Sequence, residues 1–274
     1  TDQLGDAFTF KDFPSSGLGG EREVVEGVQL GTVDMTIVST GTLSNFVPEV
    51  GVFDVPFLFS SLDHARRVLD GEIGQEMLAR FDEAGLHALA WGEQGFRHIT
   101  NNRGPITTPA DAKGLKIRTM ENPVHIKAFE ALGAAPTPMA FSEVFTSLQN
   151  GTIDAQENPL ALIESANFYE VQKFVNKTEH VRSWIYLTIS EITWGRLSSA
   201  DQEAVMQAAA TAQTAEREMF TADEDRLAAS LKDKGMTFVD SDKAAFAATA
   251  RDAVLANIGD EIKPVVQQLF DQQA

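Results

Sequence analysis

The sequence predicts an α/β protein of two similar, interleaved lobes held together by a long bracing helix. Three observations predict this class: a helix–glycine–strand unit that occurs twice, two extended stretches able to cross between lobes, and a long helical run in the C-terminal third. The 274 residues suffice for two lobes of ordinary domain size.

The repeat is Gln29-Leu30-Gly31-Thr32-Val33-Asp34, which recurs as Gln149-Asn150-Gly151-Thr152-Ile153-Asp154, a spacing of 149 − 29 = 120 residues. In each copy an amphipathic segment (Glu21 to Leu30, then Ser142 to Asn150) stops at a glycine suited to the left-handed position after a helix. A short strand follows, Val33 to Val38 and then Ile153 to Gln156. The strand Leu115 to Arg118 and the helix Pro123 to Leu132 precede the second copy, whereas only Phe8 to Phe13 precedes the first. By this reading one strand and one helix of the first lobe are missing ahead of Thr1.

Ala88 to Glu93 and Phe96 to Thr100 read as strands around Gly95, and Val181 to Ile192 is a second extended stretch rich in β-branched and aromatic residues. Two such crossings imply one lobe of roughly 1–94 plus 184–222 and another of 95–183 plus 223–274. From Ser198, a good helix cap, to Lys234 there is neither Pro nor Gly, and Gly235 supplies the stop. At ~1.5 Å per residue this helix reaches roughly 50 Å, enough to brace both lobes. Asp242 to Ile258 and Ile262 to Gln273 close the chain in helical pattern.

Lys and Arg total 22 against 40 Asp and Glu, a formal charge of −18 that repels nucleic acid and anionic lipid. The same field slows an anionic ligand, so a carboxylate site must rest on a few buried cations. The chain has no Cys, which excludes thiolate metal sites, thiol nucleophiles and disulfides and suits a protein exported without cross-links. No apolar run approaches the ~20 residues of a membrane span, and the start lacks a basic segment followed by an apolar one. Export therefore implies a signal peptide already removed.

His64, His87, His98, His125 and His180 are scattered, none at the helical spacing of a zinc enzyme. There is no Gly-x-Ser-x-Gly elbow and no phosphate-binding P-loop, and Gly17-Leu18-Gly19-Gly20 carries Arg22 where a dinucleotide loop needs its third glycine. Neither a cofactor nor a metal is expected. What remains is two polar residues at strand ends, where α/β sheets place ligands: Arg118 after Gly114-Leu115-Lys116-Ile117, and Asn158 in Gln156-Glu157-Asn158-Pro159. On pattern alone Arg118 reads equally as a surface Arg, and Asn158 as a turn residue before Pro159.

With these residues the sequence resembles the solute-binding subunits of tripartite ATP-independent periplasmic (TRAP) transporters. The resemblance runs in order from Phe13-Pro14 through Leu18-Gly19-Gly20-Glu21-Arg22-Glu23 and Asp54-Val55-Pro56-Phe57-Leu58-Phe59. It continues in Lys113 to Arg118, Gly133 to Phe141, and Gly151 to Asn158-Pro159, and so covers almost the whole chain.

The resemblance implies the two-lobed periplasmic binding protein fold, open and closed states, and no enzyme activity. It implies that Arg118 grips a ligand carboxylate, that Arg97 is a second ligand-facing Arg, that Asn158 contacts the ligand, and that Phe141 packs on it. A guanidinium suits this task because it donates two parallel hydrogen bonds and stays charged in a desolvated cleft. The repeat adds Ser39 and Thr40 as first-lobe counterparts of Asn158, and Glu121 and Trp184 complete the set, with a surface acid and a core Trp as their alternatives. The expected ligand is a small organic acid, whether C4-dicarboxylate, sugar acid or related carboxylate. The expected partners are TRAP membrane subunits, the state a monomer, the compartment the periplasm. The rival reading, a carboxylate-processing lyase or hydrolase, needs a perturbed acid or base in the cleft.

Overall fold

The structure, a computed structural model, describes residues 4–59, 61–260 and 262–272. The described strands are β1 (Met35–Ser39), β2 (Leu86–Asn101), β3 (Lys116–Thr119), β4 (Ala135–Pro138), β5 (Ala155–Pro159), β6 (Phe174–Lys177), β7 (Arg182–Ser190) and β8 (Thr237–Asp240). The helices of the first half are α1 (Glu21–Gln29), α2 (Thr40–Leu43), α3 (Leu62–Asp70), α4 (Glu72–Ala79) and α5 (Pro123–Ala131). Those that follow are α6 (Phe141–Gln149), α7 (Leu160–Ser165), α8 (Glu191–Trp194), α9 (Ser199–Asp233), α10 (Lys243–Asn257) and α11 (Lys263–Asp271).

The duplication is real at the level of backbone. α1 and α6 each span nine residues, end before glycines with φ of +69° (Gly31) and +71° (Gly151), and lead into strands 120 residues apart from end to end (35 + 120 = 155, 39 + 120 = 159). An L side chain in that left-handed region costs about 1–2 kcal/mol. Nothing lies within 4 Å of the position a Cβ on Gly151 would take, so Gly151→Ala is expected to lose only this backbone amount in urea unfolding. Gly31→Ala should lose at least as much, because its Cβ would meet Ile192 at 3.3 Å.

β2 joins the two lobes. Its first part pairs antiparallel with β7, which pairs in turn with β1; its last residues pair with β5 and β6. β3 then runs parallel to both β5 and β4, and β8 parallel to β6. The expected pair of strands around Gly95 is thus a single strand with an irregular register between Glu93 and Gly95, where Gly95 adopts φ +98°. A bulge bends and twists a strand without ending its ladder. Residues 8–13, the extended stretch ahead of the first repeat, form no strand.

α9 runs unbroken for 35 residues, about 52 Å. Ser198 caps it by accepting from the Asp201 N–H. Val205 and Ala209 near its start pack with Leu89, Ala90 and Ile189 of the first sheet, whereas Leu227 and Leu231 near its end pack with Val144, Leu148 and Ile163. α10 and α11, read from the sequence into the second lobe, send Ala250, Val254, Val266 and Leu269 into the same core as Val50, Phe53 and Leu69 of the first. The last residues of the Ile262 to Gln273 segment reach outside the described residues.

Candidate functional site

The constant offset of 120 places Glu21, the first residue of α1, opposite in role to Phe141, the first residue of α6. The two helix starts line one narrow cleft of about 50 Å³, together with Thr42, Arg118, Met120 and Glu121. A helix start carries the positive end of the helix dipole, and both starts border this space. The gap is tight: a Cβ on Gly20 would sit 3.6 Å from Ala140, and one on Gly41 would overlap Met120 at 2.3 Å.

Arg118 leaves the carboxyl edge of β3 with only 3% of its surface exposed. Its Nε and Nη2 both donate to the Met139 carbonyl, at 3.0 and 2.8 Å. Among the described residues no carboxylate reaches ion-pairing distance of it. Burial pushes its pKa down to about 10, with Glu157 drawing it back and Arg97 adding to the fall, so it remains charged at neutral pH. The Phe141 ring lies 5.9 Å from its guanidinium carbon, close enough for a cation–π contact.

Arg97 and Asn158 form a second buried group behind this cation. Arg97 is fully buried and donates from Nε and Nη2 to the Glu157 carboxylate at 2.5 and 2.8 Å, from Nη2 to the Glu157 carbonyl and to Asn158 Oδ1 at 2.7 and 3.0 Å, and from Nη1 to Ser183 Oγ at 3.3 Å. Asn158 Nδ2 donates to Gln156 Oε1 at 2.6 Å. His180 Nε2 stands 2.9 Å from Glu157 Oε2, and its Nδ1 stands 2.8 Å from Thr178 Oγ1. Burial pushes the Glu157 carboxyl up, but Arg97 and His180 outweigh it and hold the group well below the usual carboxylate range. The geometry makes Arg97 the residue that fixes Asn158, with its own donors turned mostly inward.

The remaining candidates divide. Glu121 lines the cleft, and Arg22 reaches it across the gap at 3.4 Å, an exposed pair worth little in energy. Ser39 touches the site through Glu21, which accepts from the Ser39 N–H at 3.0 Å, from Ser39 Oγ at 2.6 Å and from Thr42 Oγ1 at 2.6 Å. Thr40 instead donates to the Trp184 carbonyl at 3.1 Å, and Trp184 is buried edge-on to Phe59 and Trp91 in the first core. The bounds of β1 and β5, 120 residues apart, also make Val38, rather than Ser39 or Thr40, the counterpart of Asn158 (38 + 120 = 158). Glu21, Thr42 and Met120 were not foreseen, yet counting 120 residues back from Phe141 lands on Glu21. His87, which has no metal-like spacing in sequence, has its Nδ1 2.9 Å from Asp82 Oδ1 and 3.5 Å from Glu191 Oε2, a His and two carboxylates near enough to share an ion.

A cleft between two interleaved α/β lobes, closed over a buried charge by residues from both, is the arrangement of a solute-binding protein. The chain belongs to the bacterial extracellular solute-binding protein family 7, whose model matches residues 2–260. It is 54% identical to a solute-binding protein of Roseobacter denitrificans over 95% of this chain and 80% of that one. It is 40% identical to the 2,3-diketo-L-gulonate-binding periplasmic protein of Escherichia coli, over 86% of this chain and 72% of that one. A solved TRAP periplasmic solute-binding protein from Roseobacter denitrificans with bound L-galactonate superposes with a TM-score of 0.94 at 52% identity, covering 98% of this chain and 89% of the other. One from a Polaromonas species bound to D-erythronate gives 0.94 at 44%, covering 100% and 89%. The family and these relatives are binding proteins of TRAP transporters, not enzymes.

Proposed function

We propose that this chain captures a small hydroxylated monocarboxylate, a sugar acid or close relative, in the periplasm and presents it as a monomer to the membrane subunits of a TRAP transporter. The observation that carries the reading is Arg118: a charged guanidinium, nearly sealed from water, whose donors meet one neutral carbonyl and, among the described residues, no acid. A buried charge without a counter-ion is costly, and a ligand carboxylate supplies one. Glu21, Glu23 and Glu121 also line the cleft, with Arg22 ion-paired to Glu121, which leaves Arg118 as the lining cation without an ion pair among the described residues. These acids accept from ligand hydroxyls but repel a second ligand carboxylate. Ligands of the relatives, L-galactonate and D-erythronate, have this polarity. Arg97, Asn158, Phe141 and Ser39 then support or line the site, and Thr40 and Trp184 hold the wall behind it.

The lobe division that closure requires, 1–94 with 184–222 against 95–183 with 223–274, is part of the proposal. It is supported by the two crossings and by the two ends of α9 packing in different cores, with α10 and α11 lying across it. Calorimetry with L-galactonate, D-erythronate and succinate tests the ligand class. The hydroxy monocarboxylates should bind at least about tenfold (~1.4 kcal/mol) tighter than succinate. Equal or tighter binding of succinate would favour the dicarboxylate reading, which a relative from Sulfurospirillum deleyianum with bound succinate at 31% identity keeps open.

A further inference from the structure

A second cavity, of about 280 Å³, shares no lining residue with the cleft. Phe57, Phe59 and Phe96 give it apolar wall, and Glu179, Arg182 and Lys243 give it charge. Exposure orders these groups in depth. Lys243 and Glu179, ion-paired with each other, are half and about a quarter exposed and form the rim, whereas the Arg182 side chain is 3% exposed.

Arg182 is incompletely satisfied. Its guanidinium carbon lies 4.9 Å from the Phe96 ring, 5.4 Å from Trp184 and 5.5 Å from Phe220, and its Nη2 donates to Glu93 at 3.3 Å. Glu93 already accepts from Arg66 at 2.6 Å, so one carboxylate serves two guanidinium groups. Glu224, another acid acting on Arg182, is itself pushed toward its neutral form by burial. The Arg182 Nε is sealed from solvent and meets no acceptor among the described residues. A buried donor of this kind is uncommon enough to call for a partner.

The backbone at the same cavity is strained. Phe57 and Glu179 have φ of +58° and +45°, the left-handed region that bulky residues rarely adopt. One hydrogen bond, from the Phe57 N–H to the His180 carbonyl at 2.9 Å, ties their two turns together. Strain held by surrounding structure concentrates at sites that bind or move.

We propose that this cavity is a second ligand site, for a small monocarboxylate with a flat apolar body: the carboxylate meets the Arg182 guanidinium and the body lies against Phe57, Phe59 and Phe96. The volume, just below the ~300–1,000 Å³ of pockets for drug-sized ligands, sets the size. A guanidinium framed by phenyl rings sets the chemistry, and Lys243 at the rim adds attraction at entry. Phe96 lies on β2, the strand that joins the lobes, and Arg182 on β7, which pairs with it. Occupancy therefore biases closure over the cleft, and by linkage the cleft ligand biases occupancy.

Benzoate is a suitable probe, used with the Arg118→Ala chain so that the cleft cation is absent. Saturation-transfer NMR and calorimetry should show benzoate bound to that chain, with benzyl alcohol, of the same shape but neutral, at least about tenfold weaker. Adding Arg182→Gln should abolish the signal. Adding Lys243→Glu, an exposed change that leaves the buried groups intact, should weaken it about tenfold, and decides the matter if the Arg182 variant does not fold. No binding to the Arg118→Ala chain at about 10 mM benzoate, equal binding of benzyl alcohol, or full binding to the Lys243→Glu chain would overturn the proposal.

Discussion

Arg118→Ala is expected to weaken binding of the cleft ligand by two to three orders of magnitude. Truncating one partner of a buried, hydrogen-bonded charge pair costs about 2–5 kcal/mol, and each ~1.4 kcal/mol is a factor of ten. The middle of that range, about 2.8–4.2 kcal/mol, applies because Arg118 has no ion-paired carboxylate among the described residues and the surrounding acids offer no replacement. Arg118→Lys keeps the charge but replaces a planar two-donor fork with a compact ammonium, and should lose more than half of the same free energy. Calorimetry with a hydroxy monocarboxylate reads both variants. Near-wild-type affinity in Arg118→Ala would remove Arg118 as the anchor, and equal losses in both would show that fork geometry, rather than charge, does the recognising.

Glu157→Gln is expected to be the most destabilising of the conservative changes at the site, at about 3–5 kcal/mol, because it leaves Arg97 charged and fully buried with no carboxylate at ion-pairing distance among the described residues. For a chain of this size that corresponds to a fall in Tm on the order of 10 °C. The sign of the pH dependence follows from the depressed carboxyl. A group held below its unfolded value of about 4.3 contributes stability that is fully present above that pH and lost as pH falls through it toward the folded value. The wild-type chain should therefore lose stability steadily below about pH 4.5, and Glu157→Gln should show a shallower slope there. The double change Arg97→Met with Glu157→Leu should recover most of the neutral-pH stability, since paired removal of a buried ion pair is often nearly neutral. Urea unfolding from pH 3 to 7 measures all of this, and an unchanged acid slope in Glu157→Gln would refute the assignment.

The architecture was legible because it is written in local chemistry. Two glycines with the same left-handed φ stop two helices of the same length, and a Pro- and Gly-free run folds as one helix. Arg118 and Phe141 were legible through resemblance, and both stand in the cleft. What the sequence concealed depends on register and on packing across the lobes. Four- and five-residue offsets gave Ser39 and Thr40 as counterparts of Asn158, whereas the bounds of the two strands fix an offset of 120 and select Val38. Glu21 looked like an ordinary acid in the first turn of a helix until the facing helix start showed what it borders. Arg97 came from the same resemblance, and nothing local reveals that Glu157, sixty residues away, accepts from its Nε and Nη2.

The 35-residue helix α9 has a mechanical consequence. Its two ends are anchored in different cores, and it carries no Pro or Gly at which to pivot, so a change in the angle between the lobes must be taken up as curvature spread over many turns. Near its middle Thr211 and Thr214 bond back to the carbonyls four residues earlier, a local softening that favours bending there. Phe220 presses on β2 at the same level, where a Cβ on Gly95 would meet its ring at 3.1 Å. A swing of the lobes would therefore have to flex this rod along its length, as a leaf spring clamped at both ends is flexed.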